Sequence, residues 1–229
     1  MTLDAICNPF EKDFIMKIAL IGATGFVGSA VLTELLSRGH AVTALARHPD
    51  KLAAQAQLKV VKADVTDAAQ VTAAVAGHDA VVSAYNPGWG EAEIKRLFGL
   101  GYDGILAGAK QAGVKRVLAV GGAGSLEVAP GLQLVDTPEF PAEWKQGALA
   151  ARDLLTRLRG ESALEWSFVS PPIALAPGER TGQYRTGGDQ LLPGTGEAPA
   201  GISVADLAVA IVDEIEKPKH TRQRFTVAN

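Results

Sequence analysis

Cysteine is almost missing from this chain: Cys7 is the only one in 229 residues. A single thiol cannot build an internal disulfide framework, and no Cys/His spacing of a zinc site is present, so no metal is expected and a reducing compartment fits. A surplus of positive charge is missing too. Lys and Arg total 22 against 25 for Asp and Glu, a formal net charge of -3, so neither nucleic acid nor an acidic membrane surface is expected as a partner. A small molecule is expected instead. No apolar run approaches the roughly 20 residues that span a bilayer, and "MTLDAICNPFEKDF" lacks the basic start and sustained apolar core of a secretory signal. These absences predict a cytoplasmic protein. Aromatics are sparse, at 6% of residues, which makes the place of each one informative.

Hydrophobic residues are plentiful at 47%, ample for a sizeable core. Met16 stands directly before the first expected strand. Residues 1–15 are therefore expected to be a loosely held extension, or a product of start-codon choice, and 16–229 a single domain. Apolar runs bounded by turn residues alternate with segments of helical period, the signature of a parallel sheet covered by helices. Strands are expected at Lys17 to Ile21, Ala41 to Ala46, Lys59 to Val61, Ala80 to Ala84, Arg116 to Gly121, Glu165 to Val169 and Arg224 to Val227. Helices are expected at Val27 to Arg38, Ala68 to Ala76, Glu91 to Ala112, Gln146 to Arg159 and Val204 to Lys217. Asp67 and Ser203 read as helix caps, and Asp206 as a first-turn acid that favours the helix dipole. Two Gly/Pro-rich stretches, 121–145 and 170–202, break the rhythm after a strand. Open α/β folds place their ligand loops there.

The most informative stretch is "IALIGATGFVGSAVL", in which Gly22, Gly25 and Gly28 fall between a strand and a helix. The first glycine permits the sharp turn, the second a close approach of backbone to a pyrophosphate, and the third close packing of helix on strand. The helix N-terminus offers free N–H groups and a positive dipole end to the anion. Thr24 adds a hydroxyl. About 20 residues on, where an acid would bind the ribose of NAD, "TALARHPDKL" carries Arg47, His48 and Lys51. Such donors suit a 2′-phosphate, so NADP is expected over NAD. Asp64, after the third strand, is placed to meet the adenine or to cap a turn.

"GATGFVG", "ADVTD", "GGAGSLEVAPG" and "ISVADLAVAIVDEIEKP" together resemble the atypical short-chain dehydrogenase/reductases, and within them the bacterial NAD(P)H-flavin reductase-like, or NmrA-like, members. The resemblance runs from Met16 to Asn229. It implies a Rossmann-type, doubly wound parallel sheet with a small C-terminal substrate-binding part. It further implies that Gly22, Thr24, Gly25, Phe26, Val27 and Gly28 hold the pyrophosphate, Arg47 the ribose phosphate, and Asp64 and Val65 the adenine. Ser83, Ala84 and Tyr85 would lie beside the cofactor, Gly121, Gly122 and Ser125 would face the nicotinamide, and Ser170 and Pro171 would close over it.

The departure from the wider superfamily concerns its usual acid, a Tyr followed four residues later by a Lys that lowers the phenol pKa. Tyr85, Tyr102 and Tyr184 are followed at that spacing by Trp89, Leu106 and Gly188. Lys145 stands in the right general region without a phenol. A flavin or quinone is less demanding than a ketone, because it accepts a hydride readily and takes its proton from water; the site need only stack cofactor against acceptor. Ser125 is the candidate catalytic hydroxyl, and Trp89, Phe140, Trp144 and Tyr184 the candidate stacking aromatics. Arg180 and Arg185 either meet an acidic substrate tail or lie in solvent. The expected activity is NAD(P)H-dependent reduction of a planar acceptor. Two alternatives stand beside it: a non-enzymatic sensor of NADP redox state, and an epimerase or dehydratase-like enzyme.

Overall fold

The computed structural model describes residues 15–194 and 199–229. The expected extension, apart from Ile15, and Cys7 with it, lie outside the described residues. The backbone order is β1 (Lys17–Ile21), α1 (Phe26–Ser37), β2 (Ala41–Ala46), β3 (Leu58–Lys62), α2 (Ala68–Val75), β4 (Ala80–Ser83), α3 (Ile94–Gln111) and β5 (Arg116–Val120). There follow β6 (Glu127–Ala129), β7 (Leu132–Gln133), α4 (Ala142–Arg159), β8 (Glu165–Ser170), β9 (Ala174–Ala176), β10 (Arg185–Gly187), β11 (Gly201–Ser203), α5 (Val204–Glu216) and β12 (Gln223–Ala228).

Eight strands form one sheet in the order β10-β12-β8-β5-β4-β1-β2-β3. All its pairs are parallel except β10 on β12. Strands buried on both faces read as unbroken apolar runs rather than alternating ones, as "KIALI" and "RVLAV" do. Helices α1 and α5 cover one face, packing Val31, Leu35, Leu207 and Ile211 against Ile18, Leu20 and Leu118. Helices α2, α3 and α4 cover the other, packing Val71, Ile105 and Leu155 against Ile21, Val117 and Phe168. This is the doubly wound Rossmann arrangement.

Each expected strand and helix is present, with differences at the ends. Helix α4 begins at Ala142 rather than Gln146 because Pro141, at the N-cap, starts the helix directly after it. The pairs β6·β7 and β9·β11 and the antiparallel edge β10 were not expected; each strand is two or three residues long and too short to show a period. Asp67 and Ser203 cap α2 and α5, accepting backbone N–H groups from Ala69 and Gln70 and from Asp206. Asp206 does more than favour a dipole. It is fully buried and accepts from Thr181 N (2.8 Å), Thr181 Oγ1 (2.6 Å) and Gly182 N (2.7 Å), fastening the segment after β8 to α5.

Candidate functional site

The strand order reverses between β1 and β4, and a crevice opens above the carboxyl ends of those two strands, where open α/β sheets bind ligands. Three glycines shape its floor. Gly22 has φ +85, and a β-carbon there would lie 2.5 Å from the Ala84 carbonyl oxygen, so the turn after β1 presses on the chain leaving β4. A β-carbon at Gly28 would lie 2.0 Å from the Gly22 carbonyl oxygen, so α1 sits directly on that turn. Gly25 is the N-cap of α1 and offers no side chain to its free N–H groups. The first turn of α1 is left open to an anion, with its dipole favouring negative charge.

The crevice belongs to a cavity of about 940 Å3 that runs across the sheet from the end of β2 to the segments following β5 and β8. Gly22, Thr24, Gly25, Phe26 and Val27 line it at the helix end, with Arg47, His48 and Lys51 beyond β2 and Val65 beyond β3. Ala84 and Tyr85 line its middle, followed by Gly121, Gly122 and Pro171. Its far end is walled by Trp89, Phe140 and Trp144, together with Leu134, Thr137, Glu139 and Ile173, which the sequence did not single out. Trp144, Gly147, Ala148 and Ala151 reach it from α4 at i, i+3, i+4 and i+7 spacing. That stripe was the available signal, and the four-residue error in the start of α4 concealed it. Gly147 has its own reason: a β-carbon there would lie 2.6 Å from the Trp89 ring.

Several expected site residues do not reach the cavity. Ser125 is 1% exposed and its Oγ has no hydrogen-bond partner among the described residues; the glycines at 121, 122 and 124 form the wall instead. The short turn over Ala123–Ser125 directs the hydroxyl into the protein, so Ser125 is not placed to act as a donor. Ser83 is buried, donating to Tyr102 and accepting from the Tyr85 N–H. Asp64 accepts from the N–H and Oγ1 of Thr66 at 2.9 and 2.8 Å, closing its own turn rather than facing the adenine end. Ser170 is buried beside Arg224, leaving Pro171 to the wall. Gly28 shapes the floor from below.

Tyr184 is the clearest correction. Its hydroxyl donates to Asp213 at 2.6 Å on the α5 side of the sheet, away from the other three aromatics. Arg180 meets neither a substrate tail nor solvent alone. It grips the buried Glu34 carboxylate through Nε and Nη2 at 2.7 and 2.8 Å, and Arg185 donates to the Asn229 carbonyl oxygen. Lys145 is exposed, about 100° around α4 from Trp144.

Tyr85 is the one phenol in the wall. Its ring lies against Gly101 of α3, where a β-carbon would be 2.2 Å from Cε1, and its hydroxyl donates to the Leu97 carbonyl oxygen at 3.3 Å. Burial raises its pKa and the nearby charge of Arg47 opposes the shift, so the phenol stays protonated at neutral pH. No lysine follows it four residues on, and Lys51 lines the wall beyond β2. Among the described residues the wall holds no acid–base pair of the expected dehydrogenase spacing.

The site therefore offers an anion-binding helix end, backbone approached closely at two glycines, donors where a ribose phosphate would lie, and a cavity of the volume usual for cofactor sites. These features fit a dinucleotide. The comparisons agree. The NAD(P)H-binding family profile matches residues 22–218. Three crystal structures are similar over the whole fold. One, a protein of Burkholderia pseudomallei provisionally described as exported, is 46% identical with a TM-score of 0.84, the match covering 94% of this chain and 100% of that one. A second, from Bacteroides thetaiotaomicron and provisionally described as an epimerase, is 45% identical with a TM-score of 0.86, covering 93% and 97%. The third, from Streptococcus pneumoniae and provisionally described as an NADH-flavin reductase, is 34% identical with a TM-score of 0.78, covering 93% and 99%. Among the described residues no helix is long and apolar enough to cross a membrane. The glycine crevice and the family profile meet on the same residues: the chain belongs to the NAD(P)H-binding family, on an atypical short-chain dehydrogenase/reductase fold.

Proposed function

We propose that the protein is an NADPH-dependent oxidoreductase that reduces a planar acceptor, such as a flavin or a quinone, held at the far end of the cavity. The observation that carries this reading is the cavity's continuation past the nucleotide crevice. It ends between Trp89, Phe140 and Trp144, and its tyrosine, Tyr85, is followed four residues later by Trp89 rather than by a lysine. When bound, NADPH would supply a hydride to the acceptor, which takes its second hydrogen as a proton from water, leaving NADP+ and the dihydro-acceptor. The chain's part is to bind and to orient. Gly22, Gly25 and the α1 end hold the pyrophosphate, and Gly121 and Gly122 leave room for the rings. The aromatics stack on the acceptor face.

Arg47, His48 and Lys51, with no acid at the end of β2, favour the 2′-phosphate of NADP. The epimerase description of one similar structure calls for an acid–base pair that this wall lacks among the described residues. The test is turnover: purified protein, NADPH, and in turn riboflavin, FMN, FAD and menadione, with nicotinamide oxidation followed by absorbance. Oxidation dependent on acceptor and protein is expected. Tight NADPH binding without turnover of any acceptor would overturn the reading in favour of a redox-state sensor.

A further inference from the structure

Charge is spread unevenly along the cavity. Its basic side chains, Arg47, His48 and Lys51, all follow β2. Between β2 and β5 stand β1 and β4, three interstrand steps, roughly 14 Å in all. That distance exceeds the Debye length of about 8 Å at physiological ionic strength, so the Arg47 and Lys51 charges do little for a charge beyond β5. Among the described residues, the far end has one charged side chain in its wall, and it is negative: the exposed Glu139.

Cations outside the wall are committed elsewhere. Arg152 of α4 is bound to Asp136, Arg180 to Glu34 of α1, and Arg185 donates to the Asn229 carbonyl oxygen. Lys145 lies off the stripe by which α4 meets the cavity. A phosphate carried to this end would meet no counter-charge in the wall among the described residues and would face a carboxylate.

From this arrangement we infer that the acceptor is an uncharged planar molecule and that Glu139 selects against phosphate-bearing acceptors. The inference rests on the reductase reading of the site, and it narrows the acceptors from flavins and quinones at large to those without an anionic tail.

Riboflavin and FMN differ only in a phosphate, which makes them the matched probes. Two readouts are taken with each. The first is kcat/KM with saturating NADPH. The second is equilibrium binding to the NADP+-loaded protein, read from quenching of tryptophan fluorescence, to which Trp89 and Trp144 contribute at the site. Riboflavin is expected to be favoured in both, by up to about fivefold at physiological ionic strength, the upper end for one exposed charge interaction. Glu139→Gln should narrow that preference and Glu139→Lys should reverse it.

Equal or better use of FMN by the unaltered protein overturns the inference, as does binding of neither riboflavin nor menadione. An unaltered preference in both variants removes Glu139 from the selection and overturns its stated role. Preferential binding of riboflavin without turnover supports the charge selection and overturns the reductase reading alone.

Discussion

Arg47 stands exposed at the edge of the cavity, one residue past β2, where a carboxylate would instead favour NAD. A guanidinium can donate two hydrogen bonds to a phosphate in one plane, which alanine cannot replace. Arg47→Ala is therefore expected to weaken NADPH binding about tenfold, roughly 1.4 kcal/mol, while leaving NADH nearly unchanged. Titration of both nucleotides into both proteins checks this, and an NADH preference in the unaltered protein would refute it. The glycines and the basic cluster were legible in the sequence because they answer to local rules: a turn conformation, a helix end, a fixed distance along the chain. Ser125 and Tyr184 were misread because neither hydroxyl is governed by such a rule. Packing of the Ala123–Ser125 turn buries the first, whose Oγ has no partner among the described residues, and Asp213, 29 positions away, holds the second.

Three carboxylates on two helices hold the segment that follows β8. Glu34 of α1 binds Arg180, Asp206 of α5 binds Thr181 and Gly182, and Asp213 of α5 binds Tyr184. The same segment begins with Pro171, Pro172 and Ile173 in the cavity wall, so its anchors set the position of that wall. Asp206→Ala leaves four donors without their acceptor, on Thr181, Gly182 and Asn229, and a loss of about 3 kcal/mol is expected, seen as a lower urea midpoint. It should also raise KM for the acceptor more than the dissociation constant of NADPH; equal changes in both would disconnect the anchor from the wall. The helices and the seven parallel strands could be read from periodicity, but these anchors could not. They join positions such as Glu34 and Arg180, 146 residues apart, and at either end the sequence shows only an ordinary polar residue.

Across the whole molecule, buried carboxylates tie stability to pH. The Arg180 guanidinium holds Glu34 below its usual pKa, with Arg38 assisting. Burial pushes Asp206 and Glu214 upward, but the donors around each outweigh it and both end lowered: for Asp206 the hydroxyl and N–H of Thr181 and the N–H of Gly182, for Glu214 the N–H and ring of His220, the N–H of Lys219 and the hydroxyl of Ser167. A carboxylate whose folded-state pKa lies below its unfolded value contributes stability above the unfolded value, and loses it as pH falls through the folded one. The urea midpoint should thus hardly respond to these groups between pH 6 and 8 and should fall below about pH 4. Glu34→Gln, less stable at neutral pH, should show a shallower acid decline. A parallel decline in both proteins would exclude Glu34 from the effect.

The Tyr85 ring occupies the notch left by a missing side chain at Gly101. One face of the cavity is thereby set from behind, by a helix position that is itself outside the wall. Gly101→Ala would act as a shim: the ring has to move off α3, and the way open to it is into the cavity. The aperture should narrow without a change in any residue that touches ligand, so that bulky acceptors lose kcat/KM relative to small ones. A single methyl group buried behind an aromatic ring is then enough to retune which molecules the protein accepts.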